Sequence, residues 1–227
     1  RKAKNLWFDD GNVVFLADDL AFRVYKGILS VISPVFQDML SVPHPEDAKT
    51  VEGCPVVRDS DSGEDFTRFF EWAFHNHRDS LSESTKSMTS SHLMSLIRVA
   101  RKYQVREAAE TLIRRLERRL QTPMRFGAGA DSLTWTENLE RMNETCASVV
   151  LEARSAIEIV NVIRLVNGSA TSPDAPVFSN TAIAVALFHC CVAFEEEPRL
   201  LREGVKRGGG IVEQLSSEDH ERCVRAM

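Results

Sequence analysis

The stretch FRVYKGILSVISPVFQDML, residues 22–40, predicts how the chain builds its fold. Its first residues alternate between apolar and polar side chains, which is typical of a half-buried strand. A helical segment follows over residues 26–32. Ser33-Pro34 then predicts the start of a second helix, because Ser caps helix ends and Pro needs no amide partner in the first turn. The apolar residues around that start recur at steps of four and three, which predicts one helix face: Ile32, Phe36 and Met39.

The segments on either side of this stretch predict further strands. Residues 12–17, NVVFLA, are apolar and largely β-branched, and an acidic turn joins them to a strand at residues 20–25, which is a hairpin pattern. Residues 42–51 carry two prolines and several charges and are expected to form a loop. CPVV, residues 54–57, predicts a third strand at the edge of the sheet, because Pro55 cannot donate a hydrogen bond to a strand ladder.

An aromatic helix is the best core candidate in the chain. Ser62 and Asp65 resemble a capping box, and large apolar residues follow at helical steps: Phe66, Phe69, Phe70, Ala73 and Phe74. Because burying each large side chain contributes roughly 1.5–3 kcal/mol, we expect this face to be core. A partner groove is the alternative. Trp72 falls off the face and, if it is exposed, is an interaction candidate.

The rest of the sequence has a helical pattern. A Ser/Thr-rich loop at residues 79–91 precedes two amphipathic helices, whose apolar faces comprise Leu93, Leu96, Ile97, Ala100 and Tyr103, and then Ala109, Leu112, Ile113, Leu116 and Leu120. A hinge is expected at residues 127–130, and helices are expected at residues 132–141, 149–167 and 180–194. Strands with interleaved helices followed by helices alone predict an α+β domain with an all-helical C-terminal region.

Several motifs resemble the BTB/POZ domain family. Residues 22–40 are similar to the family's signature, in which a strand ends in a basic residue, a helix follows, and Ser-Pro-x-Phe opens the next helix. GNVVFLADD, directly upstream, and RVARKYQVREAAETLIRRL, residues 98–116, resemble two further blocks of the family. EGCPVVRDSDSGEDF, residues 52–66, resembles the fungal branch.

This resemblance covers residues 5–121. In the helical C-terminal extension expected at residues 131–227, ALFHCCVAF, residues 186–194, and LSSEDHERCV, residues 215–224, resemble the helical regions that follow such fungal domains. It implies a BTB/POZ-like small sheet flanked by helical hairpins. It also implies a scaffold or adaptor that binds other proteins or forms a homodimer, without catalysis.

Two departures from the family's pattern concern partner binding. Many members line a charged pocket with an Asp and a His-Lys pair, whereas the matching positions here hold Asn12, Tyr25 and Lys26. Lys26 is therefore the interaction candidate that this pocket retains. Members that recruit a cullin-type ubiquitin ligase tend to carry a hydrophobic-x-Glu step after the second signature helix, whereas Glu46 here follows Pro45. A substrate adaptor of a cullin ligase is an alternative function that this motif does not support.

Four arginines of the second amphipathic helix predict a basic stripe opposite its leucines: Arg114, Arg115, Arg118 and Arg119. A solvated helix face, with Glu110 as an intrahelical partner of Arg114, is the ordinary interpretation. A patch for an acidic partner or a phosphate, and a nucleic-acid-associated regulator, are the alternatives. The net charge of −5 provides no general attraction to nucleic acid.

The composition predicts a protein inside the cell, cytoplasmic or nuclear. The longest uncharged apolar stretch, residues 182–194, is shorter than the roughly 20 residues that a membrane-spanning helix needs. The basic N-terminal residues are not followed by the apolar segment of a secretory signal. The five cysteines, without any CxxC spacing, are expected to be reduced thiols.

The sequence predicts neither an enzyme nor a metal or cofactor site. His189, Cys190 and Cys191 are adjacent, and successive helical residues point about 100° apart, so these three cannot converge on one ion. Residues 208–210 are glycines, but they lack the Lys-Ser/Thr of a phosphate-binding loop and predict a flexible linker.

Overall fold

The first half of the protein is built around a mixed five-stranded sheet. The structure is a computed structural model, which describes residues 1–42, 49–76, 88–121, 149–170, 175, 177–207 and 210–227. The sheet has the order β1-β3-β2-β5-β4, and its strands are β1 (Lys2–Trp7), β2 (Val13–Ala17), β3 (Leu20–Val24), β4 (Thr50–Val51) and β5 (Cys54–Arg58). β2 and β3 form the predicted antiparallel hairpin, with Phe15 opposite Phe22. β1 pairs with β3 in parallel, and β5 pairs with β2 in parallel.

The hairpin turn also fixes where the aromatic helix α3 (Gly63–Glu71) begins. Asp18 adopts a left-handed φ of 49°, and its carboxylate accepts a hydrogen bond from the Gly63 amide at 2.7 Å. A Cβ on Gly63 would lie 3.1 Å from the Ala17 carbonyl oxygen, so glycine lets the helix start against the turn. Ser62 caps α3 by accepting from the Asp65 amide at 3.1 Å, which confirms half of the predicted capping box.

Two short helices follow β3, as predicted: α1 (Lys26–Ile32) and α2 (Pro34–Ser41). The buried Ser33 hydroxyl accepts from the Phe36 amide at 3.0 Å and donates to the Tyr103 carbonyl oxygen at 2.5 Å. The Phe36 ring stacks on the Tyr103 ring, with centroids 4.2 Å apart and planes 4° apart. Ser33 and Phe36 therefore attach the α1–α2 hairpin to the end of helix α4 (Ser90–Lys102).

Phenylalanines from the sheet and from α3 complete the core of this half. The Phe15 ring lies 5.7 Å from the Phe36 ring and 5.4 Å from the Phe70 ring, measured between centroids. Rings at these separations gain more than their area of burial alone. The predicted aromatic face is confirmed as core, since four of its members are buried and Phe74 is partly buried: Phe66, Phe69, Phe70 and Ala73.

The second half packs directly on the first and shares its core. Its described helices are α6 (Ala156–Gly168), α7 (Asn180–Glu196), α8 (Arg199–Glu203) and α9 (Ser217–Ala226), and they follow α5 (Arg106–Gln121). α6 packs on α4, and α7 packs on α5, α6 and α9. The two halves therefore bury apolar faces against each other.

Several strands lie where the sequence predicted none. Besides β1, short ladders join β6 (Met88–Thr89) to β7 (Val149–Val150) and β8 (Val205–Lys206) to β9 (Val212–Glu213). The helix predicted from residue 149 begins only at Ala156, after β7 and a 3-10 turn. Two-residue strands are too short to produce a detectable alternation of apolar and polar residues. The C-terminal half is thus mainly, rather than entirely, helical.

The predicted edge position of the CPVV strand is wrong, because β5 lies between β2 and β4. Its pairing with β2 runs from Val56 to Arg58, beyond Pro55. Pro55 itself lies opposite Thr50 of the two-residue strand β4. The proline is tolerated inside the sheet because it lies at the end of the β2 ladder and against a very short neighbour.

Some predictions fall on residues that the structure does not describe. They are the helix at residues 132–141, the hinge at residues 127–130 and most of the loop at residues 79–91. The proposed domain limits, residues 5–121 and 131–227, also stay predictions.

We expect Phe36→Ala to lower the free energy of unfolding by about 3–5 kcal/mol, because it removes a buried ring from the contact between α2 and α4. Val177→Ala, at a side chain that is 52% exposed ahead of α7, is the matched control and should change stability by less than about 0.5 kcal/mol. Urea unfolding followed by circular dichroism measures both. Equal losses in the two variants would contradict the placement of Phe36.

Candidate interaction surfaces

The four arginines of α5 do not form one stripe. Arg114 and Arg118 are exposed, whereas Arg115 is 5% exposed and Arg119 is 1% exposed. α7 packs on α5, and Arg119 lies close to His189 of α7. Burial, together with the charge of Arg119, lowers the pKa of His189 on α7 to about 4. The predicted four-residue basic stripe is therefore wrong, because helical spacing in isolation does not reveal which faces a later helix covers.

The exposed remainder of that stripe is an ordinary surface ion pair. Arg114 donates to Glu110 one turn earlier at 3.1 Å, and both side chains are largely in solvent. Exposed pairs of this kind contribute little energy. The nucleic-acid hypothesis relied on a continuous basic surface, and α5 does not supply one.

Trp72 is not a surface residue, since it is only 5% exposed. α3 passes at Trp72 into a π-helical turn that ends at Asn76. The 3.6-residue period used to place Trp72 off the core face does not hold in such a turn. Its ring lies 5.7 Å from the Phe69 ring, so Trp72 adds to the core rather than to an interface.

Lys26 is exposed at the first turn of α1. The family's pocket positions around it have structural tasks here. Asn12 accepts a hydrogen bond from the Lys26 amide at 2.8 Å, and the Tyr25 hydroxyl donates to Asp10 at 2.5 Å. The hydrogen bond to Asp10 raises the pKa of Tyr25. Lys26 stays an interaction candidate, presented by a capped helix end.

The apolar surface of α1 was not anticipated as an interface. Ile28 is 43% exposed and Val31 is 86% exposed, and their spacing of three places them side by side on the helix. Leu29, on the opposite side, is fully buried and anchors the helix. We call Ile28 and Val31 the α1 patch. Glu46, on which the cullin alternative depended, lies outside the described residues, so that alternative stays a prediction.

A buried ionic network joins the two halves of the chain. A guanidinium nitrogen of Arg207, which follows β8, lies 2.6 Å from a carboxylate oxygen of Asp65 on α3. A guanidinium nitrogen of Arg98 on α4 lies 3.4 Å from the Asp65 carboxylate and 2.7 Å from the carboxylate of Glu158 on α6. Arg207 also contacts Glu213 of β9 at 2.9 Å. All five side chains are at most 17% exposed. The network contains three carboxylates and two guanidinium groups, drawn from four separate elements.

Burial and the neighbouring arginine charges shift the pKa values of the Asp65 and Glu158 carboxyl groups in opposite directions. Burial alone would raise the pKa of Asp65, but the charge of Arg98, a hydrogen bond from Ser95 and the charge of Arg207 lower it. Burial and the nearby Glu213 raise the pKa of Glu158, although Arg98 opposes them. The pKa of Asp65 is therefore below its ordinary value, while the pKa of Glu158 is above its ordinary value. The sequence offered one indication, since Glu158 stands alone in the apolar run AIEIVNVI.

A second ion pair holds the final helix. Arg164 of α6 donates through two nitrogens to the carboxylate of Asp219, at 2.9 and 2.5 Å. Asp219 is 1% exposed and lies in the first turn of α9, which Ser216 caps. Burial acts to raise the pKa of Asp219, but the hydrogen bonds and charge of Arg164 bring it below its ordinary value.

The described residues contain no group of three or more His, Cys, Asp or Glu side chains that could hold a metal ion. Their four cysteines are free thiols. Within the same ranges, no helix combines the length and hydropathy needed to cross a membrane.

Comparison with known families matches residues 8–120 to the family model of the BTB/POZ domain. The match begins directly after β1 and ends within the last turn of α5, so it includes the sheet from β2 to β5 and both helical hairpins. The resemblance to this domain and the α+β class are confirmed, while closeness to the fungal branch stays a prediction. No curated protein matches the chain.

We expect Arg98→Met to lower the free energy of unfolding by about 3–5 kcal/mol, because it leaves Asp65 and Glu158 buried with one cation fewer. Arg114→Met removes an exposed pair and serves as the control, with an expected loss of less than about 1 kcal/mol. Urea unfolding at neutral pH measures both. The network would have no structural role if the two variants behaved alike.

We expect Asp219→Asn to lower the free energy of unfolding by about 1–3 kcal/mol at pH 7, because it removes the ion pair with Arg164. The range is smaller than for a fully buried pair because the Arg164 side chain is partly exposed to solvent. Because the folded-state pKa of Asp219 is depressed, its charge stabilises the fold above the ordinary pKa of 3.8 and this contribution disappears as pH falls through the folded value. The stability difference from wild type should therefore shrink below about pH 4. The exposed Glu218→Gln is the control, and a difference that stays constant with pH would contradict the ion pair.

Proposed function

Since residues 8–120 of this chain form a BTB/POZ domain, which is a protein–protein interaction module, we propose that the protein is a scaffold or adaptor whose first half self-associates through the α1 patch. The helical second half then carries a further binding surface for another protein. Energy for association comes from apolar burial at a few anchor residues rather than from net charge.

The observation that carries this proposal is the exposure of Val31 and Ile28 on a rigidly held helix. Burying a valine or isoleucine side chain contributes roughly 1.5–3 kcal/mol. The hydrogen bonds of Ser33 and the stacking of Phe36 hold this helix pair in place, so little conformational entropy is lost when it docks. Exposed apolar residues on a fixed support are typical of interaction sites.

A second copy of the chain is the proposed occupant of the patch. In a two-fold dimer the same surface appears on both partners, so each Val31 would meet the α1 patch of the other chain. Lys26, the first residue of α1, and Asp38, on α2, are both exposed, so the same helix pair carries charges of both signs.

The second half supports the scaffold role through its rigid attachment. The ionic network and the continuous apolar core fix α6 and α7 relative to the sheet. Exposed apolar residues lie on this half as well, namely Leu165 on α6 and Val224 on α9. A partner bound there would be held at a fixed orientation to the self-associating half.

We expect the full chain to form dimers in size-exclusion chromatography with light scattering, and Val31→Asp to raise the dissociation constant at least about tenfold. The reason is that a two-fold interface would bury two unpaired carboxylates, one from each chain. Val224→Asp introduces the same charge at a valine that is 49% exposed on α9, and should leave the dimer unchanged.

A strict monomer of the unmodified chain across a dilution series would remove self-association from the proposal. Equal weakening by Val31→Asp and Val224→Asp would place the interface elsewhere. Circular dichroism spectra of both variants verify that they are folded.

A further inference from the structure

Three of the four described cysteines gather between α7 and α9. Cys190 and Cys191 lie on α7, and Cys223 lies on α9. Cys190 and Cys223 are buried, while Cys191 is partly exposed. We call these residues the thiol cluster. Cys54, the remaining described cysteine, lies in the sheet of the first half.

The contacts place the sulfur atoms beside one another. The Cys223 Sγ donates to the Leu187 carbonyl oxygen at 3.8 Å, and the Cys191 Sγ donates to the Cys223 carbonyl oxygen at 3.9 Å. Side chains on a helix lie over the preceding turn, so the sulfur atoms of Cys190 and Cys191 project towards the turn that contains Leu187. The Cys223 sulfur reaches this same turn of α7 from α9.

The three thiols differ in their chemistry. A hydrogen bond from Cys190 to the Cys223 sulfur, with a second from Cys191, lowers the pKa of Cys223 to about 7 although burial opposes this. Burial raises the pKa of Cys191 to about 11, and the pKa of Cys190 is also raised, chiefly by its hydrogen bond to Cys223. Because the pKa of Cys223 is lowered while the pKa values of its two neighbours are raised, Cys223 is the thiol of the cluster that loses its proton first.

We propose that the thiol cluster is an oxidative modification site, at which hydrogen peroxide converts Cys223 and Cys190 into a disulfide that ties α9 to α7. Cys190 supplies the second sulfur because its thiol makes the main hydrogen bond to Cys223. Cys191, the partly exposed member, marks the side of the cluster that is nearest to solvent. This inference concerns the second half of the chain and is independent of self-association.

The chemistry balances with peroxide as the two-electron oxidant. The Cys223 thiolate attacks one peroxide oxygen, so an S–O bond forms, the O–O bond breaks, and the departing hydroxide takes up a proton to become water. The Cys190 thiol then attacks the sulfenic sulfur. An S–S bond forms, the S–O bond breaks, and the second oxygen leaves as water with the Cys190 proton. Two thiols and one peroxide yield one disulfide and two waters.

The test treats the full chain with hydrogen peroxide, alkylates the remaining thiols and maps peptides by mass spectrometry. We expect a peptide pair that links residues 190 and 223, that disappears on reduction, and that is lost in Cys223→Ser. Cys54 should remain alkylatable after unfolding, because it lies in the other half and serves as the internal control.

A second variant tests whether peroxide oxidises Cys223 first, before the disulfide forms. In Cys190→Ser with Cys191→Ser, the hydroxyl groups keep hydrogen-bond donors beside Cys223 but cannot form a disulfide. The Cys223 sulfenic acid should then accumulate, so a dimedone adduct is expected at residue 223. The proposal is overturned if peroxide yields no link between α7 and α9 before Cys54 is consumed, or if the adduct forms on a different cysteine.

Discussion

The stacking of Phe36 on Tyr103 is the contact on which the first half of the structure depends. It joins the α1–α2 hairpin to the end of α4, and the Ser33 hydroxyl adds a hydrogen bond from the same hairpin to the Tyr103 carbonyl oxygen. The Tyr103 hydroxyl in turn lies within hydrogen-bonding distance of Asp59 and Asp61, which follow β5. One aromatic residue therefore connects the hairpin, the sheet and the helical layer. The surface of α1 can be both apolar and well ordered because its inner side is held in this way.

The ionic network has a different role from the aromatic core. Buried ion pairs contribute little net stability compared with apolar packing of the same volume, since desolvation offsets their attraction. They do penalise every arrangement in which one partner is missing. The ion pair between Asp65 and Arg98 is long, at 3.4 Å. When the second half is docked correctly, Arg207 forms a closer ion pair with Asp65, and Glu158 forms a closer one with Arg98. The network thus selects one docking geometry, whereas the apolar faces of α4 and α6 supply the energy.

The features that the sequence predicted well are those whose cause is local. The hairpin follows from alternation of side chains, the start of α2 from Ser33-Pro34, and the aromatic core from helical spacing after Ser62. The wrong predictions depended either on contacts with other elements or on a departure from regular helix geometry. Arg115 and Arg119 are buried although they lie opposite the leucines, and Trp72 turns inward because α3 becomes π-helical. β5 has a neighbour that is only two residues long. The α1 patch was missed because apolar spacing predicts a buried face equally well whether or not a neighbouring element covers it. The thiol cluster depends on the packing of α9 against α7, which no spacing within either helix reveals.

The Asp65–Arg207 contact has a consequence for how the polypeptide reaches its final state during synthesis. The two residues are 142 positions apart, so the ribosome must add 142 residues after Asp65 before the guanidinium group can reach its carboxylate. Domains emerging from the ribosome start to fold from the N-terminal end, and contacts between distant residues form last. A nascent chain that has not yet reached Arg207 therefore holds the buried carboxylate of Asp65 on α3 without its closest cation. Premature termination before residue 207 would leave this charged side of α3 permanently uncovered, which gives cellular quality control a means of recognising incomplete copies.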